Sequence, residues 1–251
     1  MKEIGTAGYS HLILFCLVLP WAAVRSAAKL ASLPYPPRQK FFIAVLLQHL
    51  FFIGVSVSVA WMEKIPLLMM PLNPILSVNL VVVVLATAIV FMLPRWRRNV
   101  ENRERKVYLF MPRDSREKSL WVFISAAAGI GEEITYRGVM WVLLARLTGS
   151  LWIAALIASS IFAFSHYMQG WISIVAIFGF ALGFHAVVWL TGSLIPAMLL
   201  HFLYDLMAGM MYSYYGEKLG YPLEGIPREA QTEREYETNE NNETNEKDAR
   251  C

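Results

Sequence analysis

Long apolar runs alternate with short polar segments along most of this chain. A helix that crosses the hydrocarbon of a bilayer needs about 20 apolar residues, and seven runs approach or exceed that length. The pattern therefore predicts an all-α, polytopic membrane protein with about seven transmembrane helices, which cover residues 9–30, 41–62, 74–93, 119–146, 150–168, 171–190 and 194–215. Proline or glycine stands at several of the predicted joins, as at Pro94, Gly149 and Gly192.

The composition supports a membrane protein and excludes an ordinary soluble domain. Hydrophobic residues make up 57% of the chain and charged residues only 16%, whereas soluble domains contain about 45–50% and about 25%. The two cysteines, Cys16 and Cys251, are too few for a disulfide framework or a cysteine-based zinc site. We expect the lipid bilayer to be the main partner of this chain, and we expect no nucleic acid partner.

Lysine and arginine are concentrated in the first and third predicted loops, and this bias predicts the orientation. Four basic residues, Arg25, Lys29, Arg38 and Lys40, lie in the first loop or at the adjoining end of the first span, and nine lie within residues 95–118. Because basic loops stay on the cytoplasmic side, we expect a cell-membrane protein with its N-terminus outside and its C-terminal tail in the cytoplasm. The predicted regions are three N-terminal membrane helices at 1–94, a basic cytoplasmic loop at 95–118, a core at 119–216 and a disordered acidic tail at 217–251.

Two adjacent glutamates, Glu132 and Glu133, lie inside the fourth apolar run. A charge near the bilayer centre costs about 2.5–3.5 kcal/mol on insertion scales, so ionisable groups there usually face protein or water and mark function. Arg137 follows Glu133 by four residues, on the same helical face, and can pair with it. Glu132 points about 100° away from Glu133. A buried ion pair that fixes helix packing explains Glu133 and Arg137 but leaves Glu132 unexplained.

Two later runs add histidines and a further carboxylate. His166 ends the fifth run, and the seventh contains His201 and Asp205 at a spacing that lets the carboxylate orient the imidazole. Together with Glu132, these groups suit activation of a water molecule and stabilisation of an oxyanion. They also suit a metal ion, since all three residue types bind zinc, although the HExxH signature is missing. A polar clamp between helices is the alternative for His201 and Asp205.

The remaining histidines have no acidic partner at helical spacing. His11 and His49 lie alone on apolar faces of the first two runs, and His185 lies in the sixth. We interpret all three as histidines that serve helix packing, because a lone histidine on an apolar face carries no signal of chemistry.

Three short motifs, taken in order, resemble those of the CAAX-protease and bacteriocin-processing family of intramembrane proteases. They are Glu132-Glu133-x-x-x-Arg137, Phe162-x-x-x-His166 and His201-x-x-x-Asp205. Each motif alone is weak evidence. All three, in order on successive predicted helices within residues 119–210, form a specific signal.

This resemblance implies a CAAX-type endopeptidase that hydrolyses a peptide bond within the membrane. It implies roles for six residues: water activation by Glu132 and His166, oxyanion stabilisation by His201 and Asp205, and support of the site by Glu133 and Arg137. The substrate would be a prenylated, membrane-anchored or precursor peptide. We favour a site without a metal or other cofactor, with zinc as the alternative.

Position 205 departs from the eukaryotic prenyl-protein proteases, which have asparagine where this chain has Asp205. An ionised aspartate cannot donate a hydrogen bond to an oxyanion. Asp205 is therefore expected either to be protonated in its apolar setting or only to orient His201. The alternative function is that of a non-catalytic membrane protein, which serves in self-immunity, as a scaffold, or as a proton or ion relay.

Overall fold

The computed structural model describes residues 3–32 and 36–222, and the regular structure within these ranges is helical throughout. The α-helices of these ranges are α1 Thr6–Ile13, α2 Leu19–Ser32, α3 Arg38–Glu63, α4 Pro74–Glu101, α5 Arg105–Phe110, α6 Ser115–Glu132, α7 Trp141–Thr148, α8 Leu151–Ser165, α9 Trp171–Thr191 and α10 Ile195–Leu219. Two π-helical segments, Leu14–Val18 and Glu133–Met140, join α1 to α2 and α6 to α7. The predicted all-α fold class is confirmed.

Five helical stretches of the described chain are long and apolar enough to cross a membrane: Thr6–Ala27, α3, α4, α9 and α10. Each matches a predicted span, whereas the other two predicted spans differ. α8 has 15 residues, which is about 22 Å at 1.5 Å per residue and short of the ~30 Å hydrocarbon thickness. The stretch from α6 to α7 is long enough but is divided by a π-helical segment, and its glutamates and arginine lower its hydropathy.

The two basic loops lie at one end of the helical bundle. Arg38, at the start of α3, pairs with both carboxylate oxygens of Glu117 at 2.9 Å. The same guanidinium donates to the backbone carbonyl oxygens of Tyr108 and Met111. These bonds join the first loop to the third, as the predicted alternation of spans requires.

The N-terminus lies at the opposite end, where a buried glutamate organises the loops. Glu63, the last residue of α3, accepts hydrogen bonds from the backbone nitrogens of Gly5 and Gly8 at 2.9 and 3.1 Å. Its second carboxylate oxygen pairs with Arg146 of α7 at 2.9 Å. The beginning of α1, the end of α3 and the end of α7 therefore meet at this end.

Two helices extend beyond the predicted boundaries. α4 continues through Pro94 to Glu101, so residues 95–101 of the predicted basic loop are helical. A proline inside a helix removes one hydrogen bond, but burial of Trp96 and a 2.8 Å hydrogen bond between Asn99 and Tyr212 hold the extension against α10. α10 includes residues 217–219 of the predicted acidic tail, and the rest of that tail from residue 223 lies outside the described residues.

The outer surface of the bundle is apolar. Trp61, Ile75 and Phe91 are examples of large side chains that are mostly exposed. Soluble monomers rarely expose large contiguous apolar patches, so this surface agrees with a bundle surrounded by lipid.

Candidate active site

A cavity of about 440 Å³ between the helices collects nearly all of the predicted site residues. Its wall includes Glu132, Arg137, His166, His201 and Asp205. Glu133, the sixth of them, is fully buried and hydrogen-bonded to two of these residues. Polar residues from three separate motifs therefore meet at one place inside an apolar bundle.

Two glycines of α6 let the neighbouring helices approach its backbone beside the glutamates. A Cβ atom at Gly129 would lie 2.8 Å from the backbone nitrogen of Phe202 and 2.9 Å from the carbonyl oxygen of Met198. A Cβ atom at Gly131 would lie 3.0 Å from the carbonyl oxygen of His49 on α3. α6 is therefore wedged between α10 and α3, and its glutamates can reach histidines of both helices.

We expect Gly129→Ala to reduce both stability and activity. The added methyl group would meet backbone atoms that cannot rotate away, so α6 and α10 must separate and His201 must move relative to Glu133. Overpacking of this kind costs about 1–3 kcal/mol. Gly183→Ala in α9 is the matched control, because a Cβ atom there meets nothing within 4 Å. Thermal unfolding in detergent and peptide turnover measure both effects, and equal behaviour of the two variants would contradict the packing described.

Glu132 makes its shortest polar contact with a histidine from the N-terminal half of the chain. Its Oε1 atom lies 3.0 Å from Nε2 of His49 in α3. Nδ1 of that ring donates to the carbonyl oxygen of Val45 at 2.7 Å. The second carboxylate oxygen of Glu132, Oε2, is buried and has no hydrogen-bond partner among residues 3–32 and 36–222. One oxygen is thus held, and the other remains able to accept a proton.

Glu133 connects two partners in a buried network. Its Oε1 atom accepts from Nη1 of Arg137 at 3.2 Å and from Nδ1 of His201 at 2.8 Å. The first bond is the pair expected from the i,i+4 spacing. The guanidinium carbon of Arg137 also lies 4.4 Å from the ring centre of Phe162, in a cation–π contact. Glu133 therefore joins the π-helical segment to α10 and sets the orientation of the His201 ring.

The second nitrogen of His201 faces two carboxylates. Its Nε2 atom lies 3.6 Å from Oε2 of Glu132 and 3.5 Å from Oδ2 of Asp205. Because Nδ1 donates to Glu133, Nε2 carries a hydrogen only when the ring is doubly protonated. In that form the imidazolium can donate to a negative charge that develops in the cavity.

The sequence offers Asp205 as the residue that orients His201, but in the structure Glu133 lies closer to this ring. The shorter hydrogen bond of the imidazole is to Glu133, whereas the 3.5 Å contact with Asp205 is longer than the usual 2.7–3.2 Å. The i,i+4 spacing puts the two residues on one face of α10, but a carboxylate from the neighbouring helix comes closer. The backbone carbonyl of Asp205 accepts from the indole nitrogen of Trp121 at 3.1 Å, which fixes this turn of α10 against α6.

His166 reaches the cavity because α8 ends early. The helix stops at Ser165, and the following turn passes through Gly170 at φ +86°, a conformation that glycine adopts without strain. Nδ1 of His166 donates to the carbonyl oxygen of Phe162 at 2.8 Å. In the neutral ring, Nε2 is consequently an acceptor, which suits a base that takes a proton from water.

His49 belongs to the cavity wall, although the sequence marks it only as a packing histidine. Its partner Glu132 lies 83 residues later, and spacing along one helix carries no signal of such a contact. The other two histidines lie elsewhere. His11 bonds to Ser56 at 3.1 Å, and His185 donates to the carbonyl oxygen of Ala181 at 2.9 Å.

The side chains around the cavity include both acceptors and donors for acid–base chemistry. Glu132 offers a free carboxylate oxygen, His166 an imidazole acceptor, and His201 a donor when protonated. General acid–base hydrolysis uses groups of these kinds. Within the described residues, no group of three or more histidine, cysteine, aspartate or glutamate side chains is arranged to hold a metal ion.

Comparison with known proteins found one family model that is similar to this part of the chain. Residues 115–207 match the family model described as type II CAAX prenyl endopeptidase Rce1-like. The matched segment contains all six predicted site residues, whereas His49 precedes it. Neither a curated protein nor a solved structure matched the chain. The resemblance inferred from the motifs is confirmed, and residues 115–207 are similar to the Rce1-like type II CAAX prenyl endopeptidases.

Proposed function

We propose that this chain is an intramembrane endopeptidase that hydrolyses a peptide bond in a membrane-associated substrate, either a prenylated protein or a precursor peptide. The observation that carries this proposal is that Glu132 lines the same cavity as His166 and His201. One of its carboxylate oxygens has no hydrogen-bond partner among the described residues. The family match supports a CAAX-type protease. A scaffold or self-immunity protein would leave this arrangement of acceptor and donor groups without a purpose, whereas a proton or ion relay would use it without cleaving a peptide.

The geometry supports a direct attack of water on the peptide bond. Water transfers a proton to Oε2 of Glu132, and Nε2 of His166 accepts a hydrogen bond from the same water. The water oxygen then bonds to the carbonyl carbon of the substrate. The carbonyl oxygen becomes an oxyanion, to which protonated Nε2 of His201 donates. The carbon–nitrogen bond then breaks, the proton held by Glu132 passes to the leaving amine, and the products are a carboxylic acid and an amine.

The remaining wall of the cavity suits an apolar substrate. Away from the polar cluster, the lining includes Leu19 and Ala22 of α2, Ala88 and Met92 of α4, and Ile177 of α9. Burial of apolar surface in such a cavity contributes roughly 25 cal/mol per Å². A lipid-modified peptide whose reacting bond lies next to its apolar part therefore fits both regions of the cavity.

We place the basic end of the bundle in the cytoplasm and the N-terminus outside. The excess of lysine and arginine at that end supports this orientation. The cavity wall extends to the same end through Arg95, Lys106 and Gln169. Substrates are therefore expected to enter from the cytoplasmic side.

We propose that the site works without a metal ion, and substitutions of Asp205 test this. We expect Asp205→Asn to keep activity within about tenfold of the wild type, because an amide can donate to the oxyanion and can accept from His201. Asp205→Ala should lose about 10²-fold, because Nε2 of His201 would lose its contact with Asp205 and misplacement of a catalytic group can cost that much. The measurement is peptide turnover of the wild type and both variants, each with and without a chelator.

Two outcomes of this assay would contradict the proposal. Loss of wild-type activity on chelation, restored by added zinc, would show that a metal takes part. An asparagine variant as inactive as the alanine variant would show that the carboxyl group of Asp205 itself does chemistry that the mechanism lacks.

The substrate class is tested by comparing cells that express the wild type with cells that express Glu132→Ala. We expect membrane-associated peptides with uncleaved ends to accumulate in the variant cells, and mass spectrometry of the membrane fraction measures them. Identical peptide populations in the two cell lines would contradict a role in proteolysis.

A further inference from the structure

We propose that His49 is a positioning residue for Glu132, so that the N-terminal helices complete the site rather than only anchoring it. This inference rests on the proposed role of Glu132 as the base. It concerns a residue that lies outside the matched segment 115–207 and outside all three motifs.

The hydrogen bonds of His49 determine which of its ring nitrogens carries a hydrogen where it meets Glu132. Its Nδ1 atom donates to the carbonyl oxygen of Val45 at 2.7 Å, since a carbonyl can only accept. The neutral ring therefore has no hydrogen on Nε2, which lies 3.0 Å from Oε1 of Glu132. The short contact requires one shared proton, present either as an imidazolium with a carboxylate or as an imidazole with a carboxylic acid. His49 and Glu132 thus hold this proton as a pair.

Burial shields the pair of His49 and Glu132 from water. His49 is 6% exposed and Glu132 is 8% exposed, and the backbone of His49 lies against Gly131 of α6. Water therefore competes little for the shared proton. The charged and titratable groups that line the cavity near the pair are Tyr136 and Arg137 from the π-helical segment, His166 from the turn after α8, and His201 and Asp205 from α10.

In the reaction, the two carboxylate oxygens of Glu132 therefore have different roles. His49 holds Oε1, so the carboxylate cannot rotate freely, and Oε2 is left to accept the proton of water. A misplacement of about 1 Å at a catalytic group can reduce the rate by about 10²-fold. Loss of the His49 bond should therefore lower kcat while leaving KM nearly unchanged, because His49 acts through Glu132.

Two variants of His49 separate its bond from its charge. His49→Phe removes both, and we expect kcat to fall about 10²-fold. In His49→Gln the side-chain amide can still donate to Oε1 but cannot titrate, so kcat should recover to within about tenfold of the wild type. The acidic limb of its pH–rate profile should move to higher pH, because a neutral amide stabilises the carboxylate form of Glu132 less than an imidazolium does.

His11→Gln is the matched control. His11 is also a buried histidine of the N-terminal half, but it bonds to Ser56 and does not line the cavity. Its substitution can lower stability, and the pH–rate profile should keep its shape. Thermal unfolding of the full chain in detergent shows which variants fold.

The results distinguish this inference from the proposed function. If the wild type cleaves no peptide, the proposed function fails. If the wild type cleaves and His49→Phe is equally active, or if His49→Gln keeps the wild-type pH–rate profile, the role of His49 is overturned while the proposed function stands. If His49→Phe does not fold, the pH–rate profile of His49→Gln decides the question.

Discussion

Glu132→Gln should abolish peptide cleavage while the protein remains folded. An amide has nearly the shape of the carboxyl group, and it can keep the contact with His49 by donating to Nε2. It cannot accept a proton from water, so the rate should fall by about 10²–10⁴-fold, the usual contribution of a general base.

Turnover of a membrane-bound peptide measures this loss, and thermal unfolding in detergent shows that the fold is kept. Glu101→Gln is the matched control, because Glu101 is an exposed glutamate that pairs with Arg97 in α4. Equal turnover of Glu132→Gln and the wild type would reject the mechanism.

Glu133→Gln should impair folding as well as activity. The side chains of Glu133 and Arg137 are both fully buried, so the loss of the carboxylate leaves an uncompensated cation inside the bundle. Breaking a buried pair in this way costs about 3–5 kcal/mol. The second carboxylate oxygen has no hydrogen-bond partner within the described part of the chain, and an amide nitrogen placed there would find no acceptor.

Glu101→Gln is again the matched control, because it removes the carboxylate of an i,i+4 pair of the same spacing on the surface. That pair is exposed, and surface pairs of this kind contribute about 0–1 kcal/mol. The measurement is the midpoint of thermal unfolding in detergent. A Glu133→Gln variant as stable as Glu101→Gln would show that the buried network does not support the fold.

The parts of the site that could be predicted from the sequence are those set by spacing along one helix. Arg137 follows Glu133 by four positions, and the two form the expected pair. His201 and Asp205 share a face of α10 for the same reason. The three motifs also meet at one cavity, because ionisable groups inside an apolar bundle are tolerated where they solvate one another.

The other contacts depend on how the helices approach one another, which spacing does not determine. His49 meets Glu132 because Gly131 allows α3 to come close to α6. Glu133 orients His201 because Gly129 allows the same for α10. The π-helical segment that begins at Glu133 and the early end of α8 are likewise products of packing, and the regular apolar pattern carries no sign of either.

The most direct test of the proposed function uses the purified full chain in lipid vesicles with a peptide whose farnesylated cysteine is followed by three residues, the arrangement of a CAAX end. Mass spectrometry then follows release of the C-terminal tripeptide by the wild type and by Glu132→Gln. Our account predicts that the wild type releases the tripeptide from the farnesylated peptide and that Glu132→Gln does not. An intact peptide in the presence of folded wild type, or equal release by the two proteins, would contradict it.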